Sequence, residues 1–392
     1  PTKFYIGFDP TADSLHLGNL VGIVAAAWLQ RFGHTPYLLV GGATGKIGDP
    51  SGKSTERPLL SEEQLQKNVD AIRGQLERLL DFHHPTAAPV MVNNATWFST
   101  MSVTDFLRDV GKQFRIGAML GKESVRARIQ SEEGMSFTEF SYQLLQGYDF
   151  YHLYKHHGVQ LQLGGSDQWG NITAGVEYTR KVAQASVYGL TFPLLTRSDG
   201  KKFGKSEGGA IWLSSKLCSP YKFYQYLYRV ADADVIQLLR RLTFIDIQEV
   251  MEYEKNLEYQ PNMAQKRLAE EVTRFVHGEE GLQIALKVTQ AALPGSDAVL
   301  DQEILEEIKG DLPCVCLPSV EVVGKKYVEV LAKASYVTSK GEAVRLVKNG
   351  GLYLNNKKVQ DPDLLIAEKD LIGAKFLLVS IGKKTRALVE IV

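Results

Sequence analysis

Residues 4–19 place a threonine, a histidine and a glycine where a β-strand is expected to turn into a helix. They read FYIGFDPTADSLHLGN. A helix that starts at the carboxyl end of a strand presents backbone N–H groups and its positive dipole end to phosphate. Thr11 and His16 can donate to phosphate oxygens, and Gly18 lets a flat base lie against the helix. A lone histidine there is more often a capping or surface residue, but the whole segment favours a nucleotide site.

The glycine-rich segment at residues 41–54 approaches a phosphate-binding P-loop but departs from it by one position. It reads GGATGKIGDPSGKS. A P-loop requires glycine where Ile47 stands, and Pro50 lacks an N–H that would face phosphate. A P-loop nucleotidase is therefore disfavoured. The segment predicts a loop carrying Lys53 and Arg57 towards anions, with a plain surface loop as the alternative.

A predicted helix carries polar groups along one face. A Ser136-x-x-Glu139 capping box opens it. Tyr142, Gln146 and Asp149 then follow at i, i+4 and i+7, so they share a face. A phenol, an amide and a carboxylate suit a small zwitterion, although the wet side of an ordinary helix shows the same spacing.

A predicted strand at Val159–Leu163 runs into a Gly-Gly-Ser-Asp exit at residues 164–167. Gln160 and Gln162 alternate with aliphatic residues, so they share the polar face of the strand. Such a glutamine is either bonded to neighbouring backbone or part of a site. The carboxyl end of an α/β strand is where ligands bind, which favours a site here.

Lys202, Lys205 and Ser206 stand in a loop at residues 199–206 that reads DGKKFGKS. A flexible loop with two lysines and a hydroxyl can close over pyrophosphate. A lysine-rich surface turn would look similar when taken alone.

The elements that must position these residues change character along the chain. Residues 1–219 alternate short β-rich runs with longer helical stretches, which predicts an α/β domain with a parallel sheet. Residues 220–324 show leucine, tyrosine, glutamate and arginine at helical spacing as far as about Lys309. Two prolines then mark Gly310–Gly324 as a linker.

Residues 325–392 predict a small basic α+β module. They hold 13 Lys and Arg against 7 Asp and Glu, a balance of +6 in a chain whose net charge is zero. A helix at Lys340–Lys348 and a hairpin turn at Asn355-Asn356 are expected. Arg345 and Lys348 lie on one side of that helix and favour a polyanion partner; an ordinary solvated surface is the alternative.

Composition excludes several classes of protein. The 392 residues are 44% hydrophobic and 23% charged, the balance of an ordinary globular chain, and no apolar run is long enough to cross a membrane. Cys218, Cys314 and Cys316 are too few for a disulfide framework or a four-ligand zinc site. A reducing compartment is therefore expected, and the glycosylation sequons at Asn94 and Asn171 are interpreted as chance matches.

The first residue is proline rather than methionine, so we expect a segment to precede it. That segment leaves room for a transit peptide. The expected location is the cytoplasm if the source is bacterial, and the mitochondrial matrix or chloroplast stroma if it is eukaryotic.

Taken in order, these segments resemble the class I tyrosyl-tRNA synthetases over nearly the whole chain. His16-Leu17-Gly18-Asn19 resembles the HIGH signature, and KFGKS at residues 202–206 resembles the KMSKS signature. The strings GFDPTADSLHLG and GGSDQWGNITAG are specific in combination. Arg345–Val359 is similar to the S-four RNA-binding domain.

The resemblance implies a fold and a division into domains. Residues 1–219 would form a Rossmann-like class I catalytic domain with a dimer-forming insertion. Residues 220–324 would form a helical anticodon-binding region and linker. Residues 325–392 would form an S-four-type RNA-binding domain.

The resemblance also implies a tyrosine–tRNA ligase, which activates L-tyrosine with ATP and transfers it to the 3′ end of tRNA(Tyr). The carboxylate of tyrosine would attack the α-phosphate in line and release pyrophosphate, so no side-chain nucleophile is needed. Magnesium would accompany the ATP phosphates, and no structural metal is expected. A homodimer is implied, with Phe137 at a position of the subunit interface, and no membrane partner.

The resemblance assigns each site residue to a ligand. Tyrosine would be bound by Tyr5, Asp49, Tyr142, Gln146, Asp149, Gln162 and Gln168. ATP would be bound by Asp9, His16, Gly18, Gly165, Asp167 and Lys205. The catalytic set, which stabilises the phosphates, would be Thr11, His16, Asn19, Lys53, Arg57, Lys202, Lys205 and Ser206. RNA would be bound by Arg345 and Lys348.

Two residues depart from the family pattern. Asn19 stands where many relatives have the second histidine of HIGH, and it can still donate a hydrogen bond. Ile6 stands where many have a cysteine, so one ribose contact is lost. A tryptophanyl-tRNA synthetase is a rival that the pair Tyr5 and Asp149 disfavours, and an RNA-binding scaffold is a rival of another class.

Overall fold

The chain forms two compact units in the computed structural model. The structure describes residues 1–51, 55, 60–206, 209–310, 312–382 and 385–392. The first unit comprises Pro1–Leu217 and Ala231–Ala264, and the second comprises Cys218–Val230 and Gln265–Val392. The predicted fold class is confirmed, with a parallel α/β sheet, a helical region and a small mixed α+β domain. The predicted domain boundaries stay a prediction.

The first unit is built on a parallel sheet with the strand order β3-β2-β1-β4-β5. Its strands are β1 (Lys3–Phe8), β2 (Thr35–Val40), β3 (Val90–Asn93), β4 (Leu161–Gly165) and β5 (Tyr188–Phe192). Three consecutive residues of β1 are buried, as both faces of a central parallel strand require. Strand order reverses beside β1, and such a reversal opens a crevice at the carboxyl ends of the strands.

Strand β4 begins two residues later than the sequence suggested. It starts at Leu161, so Gln162 lies in the strand and the exposed Gln160 precedes it. The β-propensity of Val159 extended the predicted strand too far.

Helices fill the connections of the first unit. They are α1 (Leu17–Arg31), α2 (Glu62–Leu79), α3 (Ala95–Phe98), α4 (Val103–Asp105), α5 (Ile116–Leu120), α6 (Glu123–Ile129), α7 (Phe137–His157), α8 (Trp169–Ala183), α10 (Asp232–Leu242) and α11 (Ile247–Asn256). A short antiparallel pair, β6 (Lys205–Ser206) and β7 (Gly209–Ala210), follows β5. The predicted helix of the polar face is therefore α7.

The ends of α7 follow from its sequence. The Ser136 side chain accepts a hydrogen bond from the Glu139 backbone N–H, and Gly158 ends the helix at a φ of +70°. The Glu139 carboxylate pairs with Arg128 of α6 at 2.8 Å, with both side chains almost completely buried. This ion pair ties α6 to the start of α7.

The second unit joins helices to a mixed sheet. The helices are α9 (Pro220–Tyr228), α12 (Met263–Ala291, mostly in this unit and broken by a kink at Gly278, where φ is +74°), α13 (Gln302–Lys309), α14 (Tyr327–Lys333) and α15 (Lys340–Lys348). The strands are β8 (Cys314–Leu317), β9 (Leu352–Leu354), β10 (Lys357–Lys358), β11 (Phe376–Ile381) and β12 (Thr385–Ile391), in the order β10-β9-β11-β12-β8. Strand β8 pairs parallel with β12, and the other pairs are antiparallel.

Sequence predictions for the second unit are confirmed in part. Helix α15 has the predicted bounds, and Ser339 caps it. Asn355 and Asn356 both have positive φ, as a two-residue hairpin turn requires. The segment Gly310–Gly324, predicted as a linker, instead contains β8, because its β-prone centre between the two prolines pairs with β12.

Helices that combine the length and the apolar character needed to cross a bilayer are absent from the part of the chain that the structure describes.

Glu139→Ala should lower the free energy of unfolding of the first unit by about 3–5 kcal/mol, because it leaves the buried Arg128 guanidinium unpaired. Urea denaturation followed by fluorescence would measure the loss. Glu77→Ala, which breaks an exposed pair with Arg73, is the control, and it should cost about 0–1 kcal/mol. Equal losses in the two variants would contradict the role given to the buried pair.

Candidate active site

A cavity of about 560 Å³ opens where β1 and β4 end. The predicted site residues that line it are Tyr5, Asp9, Thr11, His16, Gly18, Asn19, Asp49, Tyr142, Gln146, Asp149, Gln162, Gly165, Asp167, Gln168, Lys202 and Lys205. Lys53 and Arg57 lie outside the described residues, as does the side chain of Ser206. Residues from five separated segments therefore meet at one edge of the sheet.

The start of α1 is fixed by a reciprocal cap. The Gly18 N–H donates to His16 Nδ1 at 3.1 Å, and the His16 N–H donates to Asn19 Oδ1 at 3.0 Å. Because Nδ1 accepts, a neutral His16 ring carries its proton on Nε2 and keeps that atom as a donor. His16 is thus both a capping residue and a cavity residue. Asn19 supplies half of the cap with its carbonyl oxygen.

The lysine loop is attached to the same end of α1. The Ile211 N–H donates to the Gly204 carbonyl at 2.9 Å, and the Leu17 N–H donates to the Ile211 carbonyl at 2.8 Å. Gly204 has a φ of +85°, and a Cβ there would lie 3.2 Å from the Cβ of Leu17. Glycine is needed for this close approach, which brings Lys202 and Lys205 to the cavity.

Asp149 is a carboxylate buried on α7 and held by two neutral donors. Asn94 Nδ2 donates to Oδ2 at 3.1 Å, and Trp97 Nε1 donates to Oδ1 at 2.8 Å. Burial raises the pKa of Asp149 to about 7; the two hydrogen bonds oppose the shift, and the charge of Asp9 adds to it.

Tyr5 brings a phenol to the same buried region. Its hydroxyl is buried and has no hydrogen-bond partner among the described residues. Burial, and then the charge of Asp149, raise the pKa of Tyr5 well above its usual value, so the hydroxyl keeps its proton. A buried hydroxyl without a partner is costly in an empty site and can be satisfied by a polar ligand.

Two further carboxylates line the cavity and are less buried than Asp149. Asp49 Oδ2 accepts from Gln168 Nε2 at 2.8 Å, and Oδ1 accepts from the Ser51 N–H at 2.9 Å. Asp9 accepts from the Tyr142 hydroxyl and from the Thr44 hydroxyl, each at 2.7 Å. Asp9, which the resemblance assigned to ATP, is therefore in direct contact with Tyr142, which it assigned to tyrosine.

Four residues around the cavity were not among the predicted site residues. Thr44 donates a hydrogen bond to Asp9. The side chains of Asn94 and Trp97 both donate to Asp149, and Asn171 contacts Asp49. Asn94 follows β3 directly, and a polar residue at the carboxyl end of a parallel strand was the available signal. Both sequon asparagines are buried, so neither accepts a glycan in this fold.

The predicted RNA-binding residues lie in the second unit. Arg345 and Lys348 are exposed on α15, while Ala343 and Val347 of the same helix are buried in the core. Lys357 and Lys358 of β10 are also exposed. The predicted separation of a charged face from an apolar face holds for this helix.

Comparison with known proteins identifies the class. The family described as "tRNA synthetases class I (W and Y)" matches residues 1–294, and the one described as "Tyrosine--tRNA ligase SYY-like C-terminal domain" matches residues 305–389. A C-terminally truncated mitochondrial tyrosyl-tRNA synthetase of Aspergillus nidulans superposes with a TM-score of 0.65 and 31% identity, over 72% of this chain and 84% of that one. Fold and site thus define a class I tRNA synthetase.

Two relatives show to which group of class I tRNA synthetases the chain belongs. The tyrosine–tRNA ligase of Protochlamydia amoebophila is 56% identical over 100% of this chain and 93% of that protein. The chloroplastic/mitochondrial tyrosine–tRNA ligase of Arabidopsis thaliana is 50% identical over 100% of this chain and 78% of that protein. The chain belongs to the tyrosine–tRNA ligases, and the tryptophanyl alternative is set aside.

The raised pKa of Asp149 should make the free energy of unfolding of the ligand-free protein depend on pH. From about pH 4 to about 7 the folded carboxyl keeps its proton while the unfolded one releases it, so this group lowers the free energy of unfolding as pH rises. Asp149→Asn cannot titrate and should lose this part of the slope. Denaturant titrations between pH 5 and 8 would measure it, with the exposed Asp70→Asn as control. Parallel curves for wild type and Asp149→Asn would refute the assignment.

Proposed function

We propose that the cavity binds L-tyrosine and ATP and joins them as tyrosyl-adenylate, with release of pyrophosphate. Tyrosine then passes to the 3′ end of tRNA(Tyr). The observation that carries this proposal is the buried Tyr5 hydroxyl, unpartnered among the described residues, close enough to Asp149 to feel its charge.

The phenol of the substrate would complete this pair. Its oxygen would accept from Tyr5, and its hydroxyl would donate to Asp149. Phenylalanine would leave the Tyr5 hydroxyl buried without a partner, at a cost of about 1–3 kcal/mol, and would donate no hydrogen bond to Asp149, which would keep only Asn94 and Trp97 as donors. The pocket would therefore select tyrosine by hydrogen bonding rather than by size.

The α-amino and carboxylate groups of tyrosine would lie towards the cavity mouth. Asp49, Tyr142 and Gln146 would surround the ammonium group, which needs acceptors and a negative charge. Gln162 and Gln168 would help to place the carboxylate. The contact from Gln162 would use its Nε2–H group, because its buried Oε1, which has no partner among the residues described, can only accept and would suit the ammonium group instead.

ATP would lie along the start of α1. Gly18 would let the base approach the helix, and His16 would donate to the phosphates through Nε2. The backbone at Asp9 would approach the α-phosphate, with the ribose near Gly165 and Asp167. Ile6 cannot supply a side-chain hydrogen bond to the ribose, so those residues would carry that contact.

Catalysis would come from placement and charge. The carboxylate of tyrosine is already ionised, so it attacks the α-phosphate without a protein base, and pyrophosphate leaves. ATP would enter as its magnesium complex, with the metal on the outer phosphates. Thr11, Asn19, Lys202 and Lys205 would stabilise the charge that develops on those phosphates, and Lys53, Arg57 and Ser206 are proposed for the same task.

A homodimer is proposed for the assembled enzyme. Phe137, at the start of α7, is exposed over 76% of its surface and is therefore accessible to a second subunit. Of the relatives, that of Arabidopsis thaliana is named as a chloroplastic/mitochondrial enzyme, while that of Protochlamydia amoebophila is named without a compartment. We propose the cytoplasm for a bacterial source and the organellar matrix or stroma for a eukaryotic one.

Tyr5→Phe should lower kcat/KM for tyrosine in tyrosine-dependent pyrophosphate exchange by about 5- to 150-fold, the equivalent of about 1–3 kcal/mol, while activity with phenylalanine stays the same or rises. Tyr37→Phe is the matched control, since Tyr37 is the register partner of Tyr5 on β2 and does not line the cavity. An unchanged preference for tyrosine in Tyr5→Phe would overturn the proposed phenol site, and absence of exchange in the wild type would overturn the proposed reaction.

The double variant Arg345→Ala/Lys348→Ala should keep tyrosyl-adenylate formation and weaken tRNA binding. Each lost phosphate contact should make the log–log salt slope shallower by about 0.7–0.9. Filter binding at several salt concentrations would measure this. Lys340→Ala on the same helix is the control, because Lys340 pairs with Glu329 at 2.8 Å. A double variant with wild-type slope and affinity would leave α15 an ordinary solvated helix.

A further inference from the structure

We propose that Asn171 is a positioning residue that orients the Asp49 carboxylate and thereby determines how strongly the site recognises the ammonium group of its amino acid. The inference rests on the proposed function, which gives Asp49 that role. Asn171 does not line the cavity, so it would act through Asp49.

Asn171 lies in the first turn of α8 and is 95% buried, with 5% of its surface exposed. Its Nδ2 lies 3.3 Å from Asp49 Oδ1, 3.2 Å from Ser51 Oγ and 3.3 Å from Gln168 Oε1. One amide nitrogen thus faces three oxygens that belong to two separate segments of the first unit.

The surroundings allow only one orientation of the Asn171 amide. If the amide were turned over, its Oδ1 would face the Asp49 carboxylate and the Gln168 carbonyl oxygen, and neither can donate. Nitrogen must therefore point towards Asp49. An asparagine fits this position, whereas an aspartate would place oxygen against oxygen.

Asn171 and Gln168 grip the carboxylate together. Gln168 Nε2 donates to Oδ2 of Asp49 at 2.8 Å, while Asn171 Nδ2 approaches Oδ1. The Gln168 carbonyl oxygen in turn accepts from Asn171, so the two amides also fix each other. Removing Asn171 would leave Oδ1 of Asp49 with the Ser51 N–H as its donor and would loosen Gln168.

All these donors are neutral. Among the described residues, no lysine, arginine or histidine forms an ion pair with Asp49. Hydrogen bonds from uncharged N–H groups orient the carboxylate without cancelling its charge. That charge is then left for a cation in the cavity, which an amino-acid ammonium group would supply.

Measuring the binding of two matched ligands distinguishes a specific effect of Asn171 on the ammonium site from a general loss of structure in the cavity. The pair is L-tyrosine and 3-(4-hydroxyphenyl)propionate, which has the same phenol and carboxylate and no amino group. Equilibrium dialysis with the full-length chain would give both dissociation constants. Wild type should prefer tyrosine, and Asn171→Ala should weaken tyrosine binding about tenfold, with the analogue's constant changing less than about twofold.

A double-mutant cycle tests the route of the effect. If Asn171 acts through Asp49, then Asn171→Ala should add little to the loss of tyrosine affinity already caused by Asp49→Ala. Ser51→Ala is the control, because it removes one acceptor of Asn171 and leaves the Asp49 contacts in place. It should keep the wild-type ratio of the two constants.

The outcomes are distinct. Equal weakening of both ligands by Asn171→Ala, or losses that add fully to those of Asp49→Ala, would overturn the inference. If Asn171→Ala fails to bind the analogue, Asn171→Ser, which keeps one donor at the helix start, replaces it and should give an intermediate ratio. A wild type that binds the analogue as well as tyrosine would refute the proposed ammonium site itself.

Discussion

Asp149 places a carboxyl group in the core of the α/β unit, and among the described residues no cation forms an ion pair with it. The surrounding residues are arranged to supply it with hydrogen bonds. Such a group is tolerated only if its oxygens find donors. The donors come from Asn94 and Trp97, just beyond the end of β3. Asn94 also accepts from the Ala43 N–H at 2.7 Å and donates to Thr44, so the glycine-rich segment after β2 is held in place by the same residue.

Hydrogen bonds extend that arrangement from Asn94 to the residues that line the cavity. Thr44 accepts from Asn94 and donates to Asp9, which also accepts from Tyr142 on α7. The region proposed for the phenol and the region proposed for the α-phosphate are therefore linked by buried side chains. A substitution at Asp149 or at Asp9 should therefore disturb the hydrogen bonds of the other residue, because Asn94 and Thr44, which lie between them, have few alternative partners.

Much of the fold was predictable from the sequence because its signals are local. Strand β1, helix α15 and the asparagine turn follow from apolar runs, caps and backbone preferences, and the ordered motifs located most of the cavity lining. The supporting residues were not predictable in this way. Asn94 and Asn171 matched only a glycosylation pattern. Asn94 contacts Asp149, which is 55 positions away in the sequence, and Asn171 contacts Asp49, which is 122 positions away. No local pattern encodes a partner at that distance, so only the assembled sheet reveals it.

The choice of donors bears on what the cavity can hold. A lysine or arginine beside Asp49 or Asp149 would satisfy each carboxylate and also neutralise it, leaving nothing for a ligand to complete. An indole and amide groups orient the oxygens without adding a positive charge beside them. At Asp149, where burial is nearly complete, the consequence is a raised pKa; at Asp49, which is less buried, it is a carboxylate held in one orientation. One cavity thus presents two carboxylates suited to different ligand groups: the buried Asp149 suits a hydroxyl, and the less buried Asp49 suits a cation.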